Sequence, residues 1–149
     1  MPHFTLQIFP QGPLVGALIG VSHAKRAALI SAGQPVPPVF QGQGLIDTGA
    51  SNSCVDPSVL QTLGLTPTGI ATVNTPSTGQ QPHTADQYDV SIFVPSGSPT
   101  QQPLIVANLP VICAELLLSQ GFHALIGRDI LSRCLLHYNG TLGTFTLAY

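Results

Sequence analysis

Asp47 is the carboxylate whose surroundings point most clearly to chemistry in this 149-residue chain. The apolar pair Leu45-Ile46 precedes it and predicts the end of a buried strand, and the segment 48–51 (TGAS) predicts a sharp turn. Asp, Thr and Gly all favour turns, so this motif alone is weak. A second segment strengthens the functional interpretation of this motif: the apolar run 124–126 (ALI) is followed directly by 127–129 (GRD). A carboxylate in such a setting can act as a general base or acid.

Cysteine and histidine chemistry has less support. The three cysteines, Cys54, Cys113 and Cys134, are an odd number without CxxC spacing, which predicts free thiols in a reducing, cytoplasmic compartment. A catalytic Cys–His pair is the alternative, although nothing in the sequence singles out one cysteine for it, and a buried thiol without an electropositive neighbour stays protonated. The five histidines show no ligand spacing, so we predict no metal and no other cofactor.

The composition argues against several other classes of function. Only 7% of the residues are charged, against about 25% in an ordinary soluble domain, which favours a surface partly covered by a partner subunit. The net charge is −2 and the four cations form no stripe, so nucleic-acid binding is not predicted. The apolar run 13–21 is too short to cross a bilayer and lacks the basic flank of a signal peptide. A longer, membrane-attached parent protein is compatible with this prediction.

Several segments together resemble one family. The sequence 45–51 (LIDTGAS) resembles the active-site motif of retropepsin-like aspartic peptidases, and 124–131 (ALIGRDIL) is similar to their second signature. Segments 2–6 (PHFTL) and 144–147 (TFTL) are similar to the terminal strands that interleave across the family's dimer interface. The main departure is the region 25–44, which is longer than in the compact viral enzymes.

The resemblance covers nearly the whole chain and implies its fold. We expect one retropepsin-like domain over residues 1–149, all-β, with a closed, barrel-like monomer, one or two short helices and a two-fold homodimer. The expected activity is that of an aspartic endopeptidase acting on extended, mainly hydrophobic peptides. Its partners would be a second copy of itself and a peptide or protein substrate.

The chemistry explains why a dimer is needed. Hydrolysis without a metal or a covalent nucleophile needs a base to activate water and an acid to protonate the carbonyl oxygen. Two carboxylates about 3 Å apart can do both, because like charges that close cannot both ionise and therefore share one proton. Of five Asp and one Glu, only Asp47 lies in the motif. The second carboxylate must then be Asp47 of another copy, placed across a two-fold axis.

The resemblance also assigns roles to the neighbours of Asp47. Thr48 is expected to hydrogen-bond across the dimer axis, and the carbonyl of Gly49 to accept a hydrogen bond from the substrate main chain. Ala50 has no hydroxyl that could stabilise the charged carboxylate, so we expect a less acidic optimum than that of a relative with Ser at this position. Leu125 is expected to line a substrate pocket.

Ser51 is a departure, since viral enzymes often carry there an Asp that pairs with the Arg of the Gly-Arg motif. We still expect Ser51 to contact substrate. Arg128 is predicted to form a structural ion pair or to bond a carbonyl near the interface. The apolar residues expected to support the dimer are Phe4, Leu6, Phe145 and Leu147.

A long hairpin over about 70–94 is predicted to form the flap that closes over the substrate. Its tip, 75–80, contains Thr78 and Gly79, which we expect to contact substrate. An ordinary surface hairpin is the plainer interpretation of the same pattern.

The remaining pattern predicts short strands and turns. Asp56, Pro57 and Gly64 predict the start and end of a short helix with Val59, Leu60 and Leu63 on its apolar face. Asn139-Gly140 predicts a two-residue hairpin turn. The other predicted elements are strands at 4–8, 14–21, 27–30, 104–106, 109–112 and 144–149, a loop or irregular strands at 31–44, and a helix at 129–133.

Two further functions compete with the endopeptidase. One is a catalytically inactive retropepsin-fold module for dimerisation or peptide binding, against which the intact sequence 47–49 argues. The other is a small β-barrel that binds apolar ligands, which leaves both motifs unexplained.

Overall fold

The structure is a computed structural model that describes residues 1–75, 79–116 and 118–149. The strands and helices follow one another along these residues in this order: β1 His3–Gln7, β2 Leu14–Val21, α1 His23–Ser31, β3 Phe40–Ile46, β4 Cys54–Val55, α2 Pro57–Thr62, β5 Gly69–Val73, β6 His83–Val94, β7 Leu104–Cys113, a 3-10 helix Leu118–Gln120, β8 Ala124–Ile126, α3 Arg128–Leu131, β9 Leu135–Asn139 and β10 Thr144–Ala148.

Within the described residues, six strands close into a barrel in the order β2-β3-β8-β4-β7-β6, with β6 pairing back onto β2. Strand β5 adds to the outer edge of β6, and β1, β10 and β9 form a separate terminal sheet. Alternate strand residues point inward and fill the barrel with aliphatic side chains, so the apolar periodicity of the sequence becomes one core. Its fully buried members include Val15, Ile19, Val55, Ile92, Val111 and Ile126. The predicted all-β, barrel-like architecture is confirmed.

Helix α1 corrects the strand that was predicted at 27–30. Ser22 caps the helix, since its hydroxyl accepts a hydrogen bond from the backbone N–H of Lys25 at 3.2 Å. The sequence that follows is rich in Ala, Lys, Arg and Leu, which favour helix. The apolar run 27–30 is too short to show whether its periodicity is that of a helix or of a strand. The N-cap therefore decides for the helix. With α2 and α3, the described residues contain more short helices than the one or two that were predicted.

Two further boundaries differ from the prediction. Strand β7 is continuous where two strands were predicted. Val106 pairs with Ile92 and Leu109 pairs with Val90, so β7 has one more residue between these two pairs than β6 has. The extra residue forms a β-bulge, which breaks the alternation in the sequence without ending the strand. The loop between β9 and β10 spans 140–143, not two residues, and Gly143 takes the left-handed conformation at φ +63°.

Local signals placed α2 correctly. The carboxylate of Asp56 accepts a hydrogen bond from the backbone N–H of Ser58 at 2.9 Å, Pro57 occupies the first turn, and Gly64 follows the helix at φ +63°. The predicted hairpin is also present: β5 and β6 pair antiparallel from Gly69↔Gln87 to Val73↔His83. Residues 76–78 of its tip, including Thr78, lie outside the described residues.

The central strand of the terminal sheet, β10, is paired on both edges by strands of the same chain. Strand β10 pairs with β1 on one edge and β9 on the other, so a partner's strand could add only at the outer edges of β1 or β9. The interleaving expected from the resemblance concerns a dimer, and it stays a prediction for those outer edges. Phe4, Phe145 and Leu147 are buried in the chain's own core, whereas Leu6 is 40% exposed.

Asp56 generates a prediction about acid stability. Burial opposes its ionisation, but hydrogen bonds from Ser58 and from the backbone N–H of Leu116 outweigh burial and lower the pKa of the carboxyl. The pKa of Asp56 in the folded state lies below the unfolded value of about 3.9. The ionised carboxylate therefore stabilises the fold fully above the unfolded pKa, and this stabilisation is lost as the pH falls through the folded pKa. We expect Asp56→Ala to cost about 1–2 kcal/mol at pH 7 and progressively less toward pH 2.

Thermal unfolding between pH 2 and 7 measures this difference. The control is Asp86→Ala, which removes an exposed carboxylate from β6. A destabilisation by Asp56→Ala that stays constant with pH would contradict the prediction.

Candidate active site

The site is built on strand β8, which lies between β3 and β4. Ala124–Ile126 pairs parallel with Gly44–Ile46, and on its other edge it pairs antiparallel with Cys54–Val55. The connection from β3 to β4, here named the Asp47 loop (residues 47–53), must therefore cross the carboxyl end of β8. This crossing brings the two sequence motifs together.

Gly127 makes the crossing possible. A Cβ at this position would lie 2.7 Å from the backbone carbon of Asn52 and 2.9 Å from the backbone nitrogen of Ser53. Backbone atoms cannot move aside as the end of a flexible side chain can, so any larger residue would push the Asp47 loop away. The glycine of the second motif is thus explained by close approach and not by its own backbone angles.

Ser53 and Asp129 lock the loop in place. Ser53 is fully buried; its hydroxyl donates to Asp129 Oδ1 at 2.7 Å and its backbone N–H donates to Oδ2 at 2.8 Å. The same hydroxyl oxygen accepts a hydrogen bond from the N–H of Gly127 at 3.0 Å. The sequence analysis missed this pair. The signal available was that Asp129 is one of only six acidic residues and follows Gly-Arg, but nothing in the sequence marked Ser53.

Asp47 lies where the loop begins. Its backbone N–H donates to the carbonyl of Ile126 at 3.0 Å, which continues the pairing of β3 with β8. Its carboxylate oxygen Oδ1 accepts the N–H of Gly49 at 2.8 Å. Asp47 and Ala50 are half-buried, while Thr48 and Gly49 are exposed. The structure thus presents one carboxylate, fixed by the backbone, on a loop whose tip is open to solvent.

Arg128 was expected to form an ion pair or to bond a carbonyl near the interface. Within the described ranges its guanidinium has neither a carboxylate nor a carbonyl partner; Nη2 donates to the hydroxyl of Ser51 at 2.7 Å. Its backbone N–H donates to the carbonyl of Ala50 at 2.9 Å. Both ends of Arg128 therefore contact the Asp47 loop, and its side chain is exposed.

The remaining predicted site residues are less closely connected. Leu125 is half-buried on β8, and its register partners are Leu45 and Cys54. Gly79 is exposed with φ +58°, in the turn between β5 and β6.

The cysteines are free thiols, as predicted. Burial, with a smaller effect of the nearby carboxylates of Asp129 and Asp47, raises the pKa of Cys54 to about 11. Burial also raises the pKa values of Cys113 and Cys134. All three thiols thus stay protonated at neutral pH, which argues against the Cys–His alternative. In the described part of the chain, no group of three or more His, Cys, Asp or Glu is arranged to hold a metal ion. None of the helices described there has the length and apolar character to span a membrane.

The comparison with solved structures agrees with this architecture. Over 99% of its length the chain is similar to the crystal structure of a retropepsin-like aspartic protease from Rickettsia conorii, of which it covers 90%. The TM-score is 0.57 and the sequence identity is 15%. No protein-family model matches the sequence, and no curated protein is significantly similar to it. The chain therefore has a retropepsin-like fold.

Gly127 provides a test of the site's construction. We expect Gly127→Ala to lower the free energy of unfolding by about 1–3 kcal/mol, because its Cβ would overlap the backbone of the Asp47 loop. The matched control is Gly16→Ala in β2, where a Cβ would have only an ordinary contact with Pro95 at 3.9 Å. Urea unfolding of both variants measures the difference, and equal stabilities would refute the close-approach argument.

Proposed function

We propose that this protein is an aspartic endopeptidase that works as a homodimer, with Asp47 of each copy forming the catalytic pair. The observation that carries the proposal is the position of Asp47: a half-buried carboxylate, held by the backbone at the end of a barrel strand, in a retropepsin-like fold. Its substrates would be extended, mainly hydrophobic peptides.

The dimer follows from the chemistry. Asp129, the other carboxylate close to the Asp47 loop, is committed to Ser53 and cannot serve as the second catalytic group. A second copy placed across a two-fold axis would bring two Asp47 carboxylates together, and the pair would share one proton. The ionised member would activate water, and the protonated member would donate to the carbonyl oxygen of the scissile bond. Apparent pKa values would belong to the pair and not to either residue.

The exposed tip of the Asp47 loop suits both contacts that this arrangement needs. Thr48 is open to solvent in the single chain and would hydrogen-bond across the dimer axis. The carbonyl of Gly49 would accept from the substrate main chain. Leu6, the exposed member of the four apolar residues predicted at the interface, would pack against the partner.

The β5–β6 hairpin would act as the flap. A substrate lying as an extended strand beneath it would gain affinity from main-chain hydrogen bonds and specificity from side-chain pockets. Leu125 and Ser51 would contribute to the floor of that site. Closure would exclude water from the carboxylate pair.

Replacing Asp47 tests the mechanism. We expect Asp47→Asn to lower kcat/KM by about 100- to 10,000-fold, because the amide can neither share the proton nor activate water. The control is Glu115→Gln, an exposed acid in the loop after β7. Cleavage of a mixed peptide library between pH 3 and 7, with and without a statine-type inhibitor, provides the measurement.

The outcomes separate the candidate functions. Acid-favoured cleavage that disappears in Asp47→Asn supports the carboxylate pair. A dimer verified by sedimentation that cuts nothing at any pH would instead favour the inactive dimerisation or peptide-binding module. Cleavage that persists in Asp47→Asn would show that another group performs the chemistry.

A substitution at Ala50 is expected to shift the dependence of kcat/KM on pH. A hydroxyl at this position would donate a hydrogen bond to the charged form of the Asp47 pair, and would thereby lower its apparent pKa values. We expect Ala50→Ser to shift the profile of kcat/KM against pH to lower pH. Ala32→Ser, an exposed change at the end of α1, is the control and should leave the profile in place. An unchanged profile in Ala50→Ser would contradict this role.

A further inference from the structure

Arg128 lies against the Asp47 loop with a charge that nothing in the described structure neutralises. Its backbone N–H is bonded to Ala50 at 2.9 Å and its Nη2 to the hydroxyl of Ser51 at 2.7 Å. The hydroxyl is a neutral acceptor. A guanidinium has five N–H donors, and Ser51 takes one of those on Arg128. The remaining donors of this exposed side chain are open to solvent next to the Asp47 loop.

The nearby acid is not available to Arg128. Both oxygens of Asp129 accept hydrogen bonds from Ser53, and Oδ1 also accepts from the backbone N–H of Ile130 at 2.9 Å. The chain has only six acidic and four Lys or Arg residues in total, and Arg128 is a cation held against the Asp47 loop.

The Asp47 loop connects this cation to the proposed catalytic residue. The Asp47 loop folds back on itself, with the N–H of Ala50 donating to the carbonyl of Asp47 at 3.3 Å, so Ser51 stays close to the start of the loop. An extended peptide advances about 3.3 Å per residue, so residues two or three positions from the cleaved bond lie about 7–10 Å from it. A long acidic side chain at such a position can extend toward the guanidinium.

We infer that Arg128 binds an acidic side chain of the substrate two or three residues from the cleaved bond. This inference rests on the proposed endopeptidase function and adds a specificity to it. A carboxylate suits the planar donors of a guanidinium, which can bind both of its oxygens at once. In a two-fold dimer each copy contributes one Arg128, so the preference applies at corresponding positions on both sides of the cleaved bond.

Matched peptides test the preference. Each pair carries Glu or Gln at one of the second or third positions on either side of an apolar cleavage site. We expect the wild-type dimer to show a three- to tenfold higher kcat/KM for Glu at pH 6 at the second or the third position, and at the corresponding position on the other side of the cleaved bond, about the strength of a partly exposed charged hydrogen bond. The ratio should shrink with added salt, and also as the pH falls through the ordinary Glu value of about 4.3.

Three variants assign the preference to Arg128. Arg128→Gln should bring the Glu/Gln ratio close to one, whereas Arg133→Gln, an exposed cation in the turn after α3, should leave it unchanged. Ser51→Asp keeps the arginine but places a carboxylate beside it, so it should also abolish the preference, even if Arg128→Gln fails to fold.

The possible results are distinguishable. Cleavage of both peptides of every pair at equal rates by the wild type would overturn this inference and leave the endopeptidase proposal intact. A ratio that survives in Arg128→Gln and Ser51→Asp would also overturn it. Cleavage of no peptide would overturn the proposed function and the inference together.

Discussion

The placement of β8 between β3 and β4 is the constraint on which the site depends. Because those two strands pair with β8 and not with each other, the chain between them has to cross the end of β8. The crossing brings residues that are far apart in sequence into backbone contact, and it is possible only because Gly127 has no side chain there. Asp47 is therefore positioned by main-chain contacts.

The buried hydrogen bonds at the crossing make the arrangement specific. Ser53 is enclosed, and Asp129 satisfies both its N–H and its hydroxyl. In the described part of the chain no buried side-chain nitrogen or oxygen lacks a partner. A loop displaced from β8 would leave these groups unpaired at about 1–3 kcal/mol each. The network thus favours one loop conformation, the kind of preorganisation that catalysis by a fixed carboxylate requires.

Charge is scarce in this protein, so the position of each charged group carries information. Asp56 caps α2 and also binds the N–H of Leu116, and Asp129 holds the Asp47 loop. These two acids have structural partners within the chain. Asp47 and Arg128 bond only neutral groups of their own loop region in the described structure, which leaves their charges directed toward solvent. Asp47 begins the Asp47 loop and Arg128 contacts it, which is why the functional proposals rest on these two residues.

The sequence by itself determined what short-range interactions control. It placed Asp47 at a strand end, predicted the caps of α2 and located the β5–β6 hairpin, because each depends on residues close together in the chain. It was wrong about α1, where an N-cap outweighed a short apolar run, and about β7, where a bulge interrupted the alternation. Only the tertiary structure decided that Arg128 binds Ser51 and that Ser53 binds Asp129. It also decided that β10 pairs with a strand on each of its edges. These contacts join residues far apart in sequence, and their partners are selected by strand order, which no local pattern of residues specifies.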